Sequence, residues 1–344
     1  MLLTPAELAA SAVLHPEIES FIAANPLPPA ASSDHTAIRN GLRMLESRLL
    51  SSLDPRASDV TEFYQPINMR DGYVNTVKIT KPATSVAGPL FVLGHAGGFV
   101  GGSSEQLTSE ARALARLFGA TTVSVAYRLA PEHTFPTPQL DVWDCCKWIS
   151  DHATESTLNA DPAQGFILGG VSVGGSMAAA LSRKFQDEPL SHALTGQWLC
   201  VASLMDDNCV PSQFKDVFLA REQSRDAPLL NKSSLEALQR WSQWVATSDL
   251  RYAINSKSDI SLQPRTYLQV GAMDPYRDDT LVYDELLREA GVETKIDFYS
   301  GCPHLHWMVM PQLEISKKTK IDTLVGLGWL LGKSVSREHI AGVL

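Results

Sequence analysis

A chain of 344 residues, 44% hydrophobic and 19% charged, has the material for a large buried core. Its formal net charge of -9 at pH 7 and its lack of any Lys/Arg run argue against a nucleic acid or an anionic membrane as partner, because those surfaces select clustered cations. The first residues lack a cationic start and are interrupted by Pro5, Glu7, Pro16, Glu17 and Glu19, so neither a secretory signal nor a membrane span is expected there, and the apolar stretch 324–331 is too short to cross a bilayer. The 5 cysteines are odd in number and have no C-x-x-C spacing, which speaks against a disulfide framework or zinc knuckle and for a reducing, cytoplasmic setting.

Residues 1–60 hold two helical patterns, 16–23 and 35–52, separated by the linker Asn25-Pro26-Leu27-Pro28-Pro29. Segments 62–69 and 73–80 flank Asp71-Gly72, a hairpin signal that predicts antiparallel strands at one edge. From residue 88 onward, short apolar runs at 89–94, 121–127, 165–169, 197–203, 266–270 and 294–299 alternate with helical stretches at 105–118, 139–152, 176–186, 278–290 and 312–331. This rhythm predicts an α/β fold, a mostly parallel sheet of about eight strands with helices on both faces. Residues 204–263 separate two strands with more chain than a crossover helix needs, which predicts an inserted helical cap. With 1–60 as the N-terminal part of that cap, the core is expected in two pieces, 61–203 and 264–344.

The chemistry concentrates at strand ends. Gly170-Val171-Ser172-Val173-Gly174 joins an apolar run to a small-residue helical stretch, the context of a nucleophile elbow. A serine hydroxyl is a poor nucleophile at neutral pH, and a tight turn with flanking glycines would lift Ser172 toward a base. After the run 89–93 comes Gly94-His95-Ala96-Gly97-Gly98-Phe99. Acyl transfer needs backbone N–H groups aimed at a developing oxyanion, and Gly97, Gly98 and Val173 are the candidate donors. There is no GKS, GKT or G-x-G-x-x-G, so this is not read as a phosphate loop.

Asp274 follows the run 266–270, at the sheet edge where catalytic groups of open α/β sheets gather, and would orient an imidazole. Its rivals, Asp278 and Asp279, stand at a helix start, where aspartates usually cap. Past the last run, His304 and His306 compete as base, and the order Ser, Asp, His suits this architecture. The His-x-His pair also admits a metal, but no further ligand cluster accompanies it, so no metal is expected. Cys302, two residues before His304, is a candidate thiol; Cys145 and Cys146 read as fillers. In the inserted stretch, Phe214, Phe218, Trp241 and Trp244 recur at helical spacing and, with Phe99, are candidates to wall an apolar pocket. Few cationic side chains lie near these motifs, which does not suggest an acidic substrate.

These motifs resemble, in order over about residues 88–308, the hormone-sensitive-lipase branch of the α/β-hydrolases, a group with many bacterial and fungal carboxylesterases. His95-Ala96-Gly97-Gly98-Phe99 is similar to its HGGG-F loop, the segment from Tyr127 to Pro136 to YRLAPEHPFPA, Gly170 to Gly175 to GDSAGG, Asp274 to Asp278 to DPLRD, and Pro303-His304 to PHGF. The resemblance implies an α/β-hydrolase fold, a triad of Ser172, Asp274 and His304, an oxyanion hole of Gly97, Gly98 and Val173, no cofactor, an architectural role for Glu132 and His133, and a homodimer through the last strand. Three departures stand out: Ala96 for the first glycine of the run, Val171 for the acidic residue before the serine, and Leu305 for the glycine after the histidine. The expected activity is hydrolysis of a small-molecule carboxylic ester through an acyl-enzyme on Ser172. The alternatives are acyl transfer, lactone or thioester release or cyclisation on the same machinery in secondary metabolism, and a small-molecule receptor of the gibberellin-receptor kind, which lacks the histidine retained here.

Overall fold

The computed structural model describes residues 3–27, 34–54, 58–84 and 86–344; Pro28 and Pro29 of the linker lie outside them. One sheet runs through it, made of β1 (Val60–Asn68), β2 (Val74–Pro82), β3 (Leu90–Gly94), β4 (Thr121–Val125), β5 (Phe166–Val171), β6 (Gly196–Cys200), β7 (Arg265–Gly271) and β8 (Thr294–Tyr299). The spatial order is β1-β2-β4-β3-β5-β6-β7-β8. β2 pairs antiparallel with β1 and β4, and all other pairs are parallel. The hairpin closes where the sequence marks it: Gly72 takes φ 83°, which its missing Cβ allows, and Met69 N–H donates to the Tyr73 carbonyl at 2.8 Å.

Side chains of the central strands alternate between two cores. Leu90 and Val92 pack with Val142, Met177, Tyr283 and Leu287, from helices Thr137–Asp151, Val173–Asp187 and Arg277–Glu289. Phe91 and Leu93 pack on the opposite face with Leu114 of Thr108–Phe118 and with Leu324 and Leu327 of Glu314–Leu330. Strand residues buried on both faces read as unbroken apolar runs, which is why these strands were visible in the sequence. Among the described residues, no helix is long and apolar enough to cross a membrane.

The chain leaves β3 to form β4 on one side and returns past it to form β5 on the other, so the loops after β3 and β5 emerge side by side, with Gly94 paired to Gly170. N-terminal helices reach this edge. Arg39 of His35–Ser52 donates to the carbonyls of Val100 and Ala130, both at 2.7 Å, and pairs with Glu132. The segment between Pro5–Ser11 and Pro16–Ala24 docks on the loop before His304 through His15 N–H to the Gly301 carbonyl at 2.9 Å.

Residues 204–263 hold no strand; helices Ala220–Gln223 and Lys232–Ser242 and short 3-10 turns cross them. The expected helical stripe through Phe214 and Phe218 is not an α-helix. Ser212–Val217 is a 3-10 turn entered from Pro211, and the Asp278 carboxylate takes the N–H groups of Leu219 and Ala220, the donors that would continue an α-helix.

Candidate active site

β5 ends in a sharp turn whose apex is Ser172, at φ 55° and ψ -119°. An L residue rarely holds this conformation, and here the surroundings impose it. A Cβ on Gly174 would meet the Gly94 carbonyl oxygen at 2.1 Å, and one on Gly170 would meet the same oxygen at 2.4 Å, so β3 and the serine helix approach more closely than any side chain permits. Ser172 N–H is tied to the Cys200 carbonyl at 2.8 Å, and its own carbonyl accepts from Ser176 N–H at 2.9 Å.

Three distant residues meet above this turn. His304 Nε2 lies 3.0 Å from Ser172 Oγ, and His304 Nδ1 lies 2.7 Å from Asp274 Oδ2. The other carboxylate oxygen accepts from Tyr276 N–H at 2.8 Å, which fixes its orientation. An ionised carboxylate only accepts, so Nδ1 carries the proton and Nε2 presents its lone pair to the hydroxyl. Such an arrangement can take a proton from an attacking serine and hand it to a leaving group. All three side chains are buried or nearly so.

The rival residues are occupied elsewhere. His306 Nε2 lies 2.9 Å from Thr319 Oγ1, and burial pushes its pKa down to about 4. Asp278 and Asp279 do not cap their own helix, which has no side-chain cap. Asp278 pairs with buried Arg277 at 2.7 Å and holds Leu219 and Ala220; Asp279 accepts from the N–H groups of Leu204 and Met205 and pairs with Arg221, and burial pushes its pKa up to about 6. Both therefore clamp the inserted segment to the core. Cys302 is fully buried and desolvation pushes its thiol up to about 12, which removes the thiolate a nucleophile needs. All five cysteines are free.

The loop after β3 turns through Gly97 at φ 131° and Gly98 at φ 64°. Among the described residues, the N–H groups of Gly97, Gly98 and Val173 donate to no protein acceptor, although the loop is otherwise well tied. Ala96 N–H donates to Gln106 Oε1 at 2.6 Å, and the Gly97 carbonyl accepts from Val100 and Gly101 N–H at 3.0 Å each. His95 stacks on Tyr127 with ring centroids 4.1 Å apart, and burial lowers its pKa to about 4, so it stays neutral and structural. Leu238 of the inserted segment covers Gly98, its Cδ2 lying 2.4 Å from where a Cβ would stand. Glu132 pairs with Arg39, which suits an architectural role.

Beside the triad lies a cavity of about 600 Å³. Its wall includes Ser203, Met205, Tyr252 and Tyr276, and Tyr276 meets the His304 ring edge-on at 5.6 Å. Of the aromatics picked out in the sequence, Phe218 and Trp244 line it. Phe99 and Phe214 do not: both are buried in the main core, Phe99 edge-on to Trp244 at 6.4 Å. Trp241 faces His35 at 6.0 Å and joins the inserted segment to the N-terminal helix. Sequence reading missed Tyr252 and Ser203, which carry no motif of their own, and Tyr276, which lies within the Asp274 to Asp278 motif but was given no role there. Among the described residues, no cluster of three or more His, Cys, Asp or Glu could hold a metal ion.

Residues 91–308 match the model of a family described as having the alpha/beta hydrolase fold. An AB hydrolase superfamily protein of Schizosaccharomyces pombe is 28% identical over 92% of this chain and 93% of its own length. Versiconal hemiacetal acetate esterase of Dothistroma septosporum is 27% identical over 85% of this chain and 88% of its own. Among solved structures, vibralactone cyclase superposes with a TM-score of 0.88 at 27% identity, over 96% of this chain and 98% of its own.

Proposed function

Because this chain belongs to the alpha/beta hydrolase fold family, in the hormone-sensitive-lipase-like branch that its loops resemble, and is an esterase-type hydrolase, we propose that it cleaves carboxylic esters through an acyl-enzyme on Ser172. Ser172 Oγ attacks the ester carbonyl while His304 Nε2 takes its proton. The oxyanion of the tetrahedral intermediate faces the free N–H groups of Gly97, Gly98 and Val173. Collapse expels the alcohol, which takes the proton back from His304, and water activated by the same imidazole then releases the acid. Asp274 keeps the imidazole in the reactive tautomer throughout. The observation that carries this reading is the continuous relay of 3.0 Å and 2.7 Å contacts from hydroxyl to imidazole to carboxylate. The same relay favours catalysis over a receptor role.

A second reading shares the first half-reaction. The likeness to vibralactone cyclase supports resolution of the acyl-enzyme by a hydroxyl of the substrate itself, forming a lactone in place of a free acid. The test is an acyl-length series of p-nitrophenyl esters with the parent protein and its Ser172→Ala, His304→Ala and His306→Ala variants. The first two variants are expected to lose turnover and the third to keep it. Full activity of His304→Ala, or turnover retained in Ser172→Ala, would overturn the assignment. Hydroxy-ester substrates analysed for lactone against acid separate the two readings.

A further inference from the structure

Directly behind three residues of the cavity wall, Ser203, Trp244 and Tyr252, sits Arg251, a charge that does not itself line the cavity and that the catalytic scheme does not use. Arg251 is 1% exposed, yet among the described residues it forms no ion pair. Its guanidinium is surrounded by aromatic rings, with centroids at 3.9 Å for Tyr252, 4.5 Å for Trp244 and 5.6 Å for Phe99. Its hydrogen bonds go to one residue: Nη1 to the Ser203 carbonyl at 3.5 Å and Nη2 to Ser203 Oγ at 3.2 Å. Both are long for a charged donor, whose contacts to anions usually run about 2.7–2.9 Å. The buried Nε–H has no acceptor at all. Arg277, equally buried, shows the ordinary solution, with its Nε 2.7 Å from Asp278. A guanidinium taken out of water without a counter-charge is strongly disfavoured, so its surroundings favour the approach of an anionic group.

Its surroundings tie it to the reaction centre. Ser203, Trp244 and Tyr252, which hold the guanidinium, also line the cavity. Ser203 N–H donates at 2.9 Å to Ser176 Oγ, which donates at 3.1 Å to the Ser172 carbonyl, so the anchor of Arg251 is built onto the nucleophile turn. Of the charges on the cavity wall itself, Asp207, Lys215, Glu222, Lys232 and Glu236 are exposed, Asp206 is half-buried and bonds to Asn208, and Arg221 pairs with Asp207 and Asp279.

We propose that Arg251 receives a carboxylate carried by the substrate, so that the preferred ester bears a carboxylate several atoms from the scissile carbonyl. This deepens the serine-esterase reading and rests on it. The planar fork of arginine suits a carboxylate, and the aromatic walls exclude water that would weaken the contact. It also revises the expectation that no acidic substrate is indicated, which was drawn from charges near the motifs, whereas this charge comes from a segment without one.

The test compares kcat/KM for p-nitrophenyl half-esters of succinic, glutaric, adipic and suberic acids with their neutral methyl-capped counterparts, and for acetate esters of ω-hydroxy acids with the corresponding methyl esters. The parent protein is expected to favour the carboxylate-bearing member of at least one pair by about tenfold or more, the size of a charge-assisted hydrogen bond. Arg251→Gln should abolish that preference, lowering kcat/KM for the carboxylate-bearing esters by about tenfold more than for their neutral counterparts, and Arg251→Lys should restore part of it. Preference for the neutral member of every pair in the parent would overturn the proposal, and this arm needs no variant to fold. So would an equal loss on charged and neutral esters in an Arg251→Gln protein that melts like the parent. Fluorophosphonate labelling of Ser172 separates the two readings: labelling without carboxylate preference refutes the role of Arg251 alone, and absence of labelling and turnover refutes the esterase reading beneath it.

Discussion

Replacing Asp274 by Asn tests the relay at one atom. Asp274 is fully buried, its Oδ1 accepting from Tyr276 N–H at 2.8 Å and its Oδ2 lying 2.7 Å from His304 Nδ1. In the variant, the amide oxygen must stay on the Tyr276 side, because an NH₂ there would meet another donor. The NH₂ then faces Nδ1 and can only donate, so the imidazole proton moves to Nε2. That nitrogen sits 3.0 Å from Ser172 Oγ and now offers a donor where a base is required. Shape is almost unchanged, so the fold should persist while kcat falls by about 10⁴-fold, or about 5 kcal/mol of transition-state stabilisation. The assay is steady-state hydrolysis of p-nitrophenyl butyrate, with a thermal melt on the same sample. A kcat within tenfold of the parent in a folded protein would refute the argument.

Other consequences follow from the same geometry. Gly174→Ala would put a methyl 2.1 Å from the Gly94 carbonyl oxygen and 2.8 Å from that of His95, both backbone, and should cost about 3 kcal/mol or more together with activity; an unshifted melting curve would contradict the packing. His95 and His306 have pKa values lowered to about 4, against about 6.5 in an unfolded chain, so the unfolded state takes up protons first as pH falls through that window. Stability should therefore drop between pH 7 and pH 5 by about 2 kcal/mol per histidine, measured by urea unfolding, and His306→Gln should lose part of that sensitivity; an unchanged slope would refute it. With the Cys302 thiol pushed up to about 12 and buried, iodoacetamide at pH 8 should leave activity intact, and rapid inactivation traced to Cys302 would point back to thiol chemistry.

The parts of this molecule that sequence reading recovered are those encoded in contiguous residues. The central strands are buried on both faces and announce themselves as apolar runs, and the elbow and the loop after β3 each need glycines within a few positions because two backbones touch there. The choice of His304 over His306 required a resemblance, since both stand at the same strand end, and geometry then separated them by their partners, Ser172 for one and Thr319 for the other. What stayed hidden depends on distant acceptors. The 3-10 turn through Phe214 exists because Asp278, some sixty positions on, takes the next two N–H groups, and no local pattern records that. Likewise, Arg251 looks like any loop arginine until Ser203, Trp244 and Phe99 close around it. The aromatic residues of the inserted segment are legible as apolar, but their spacing does not distinguish those that line the cavity from those that face the core.

The central claim is that a covalent acyl group passes through Ser172. Quenching the enzyme in acid during turnover of p-nitrophenyl butyrate, then measuring the intact mass and mapping its peptides, tests this directly. The account predicts a butyryl adduct on the peptide containing Ser172 that is absent from Ser172→Ala. A protein that turns over without any adduct, or carries it on Cys302 or another residue, would contradict it.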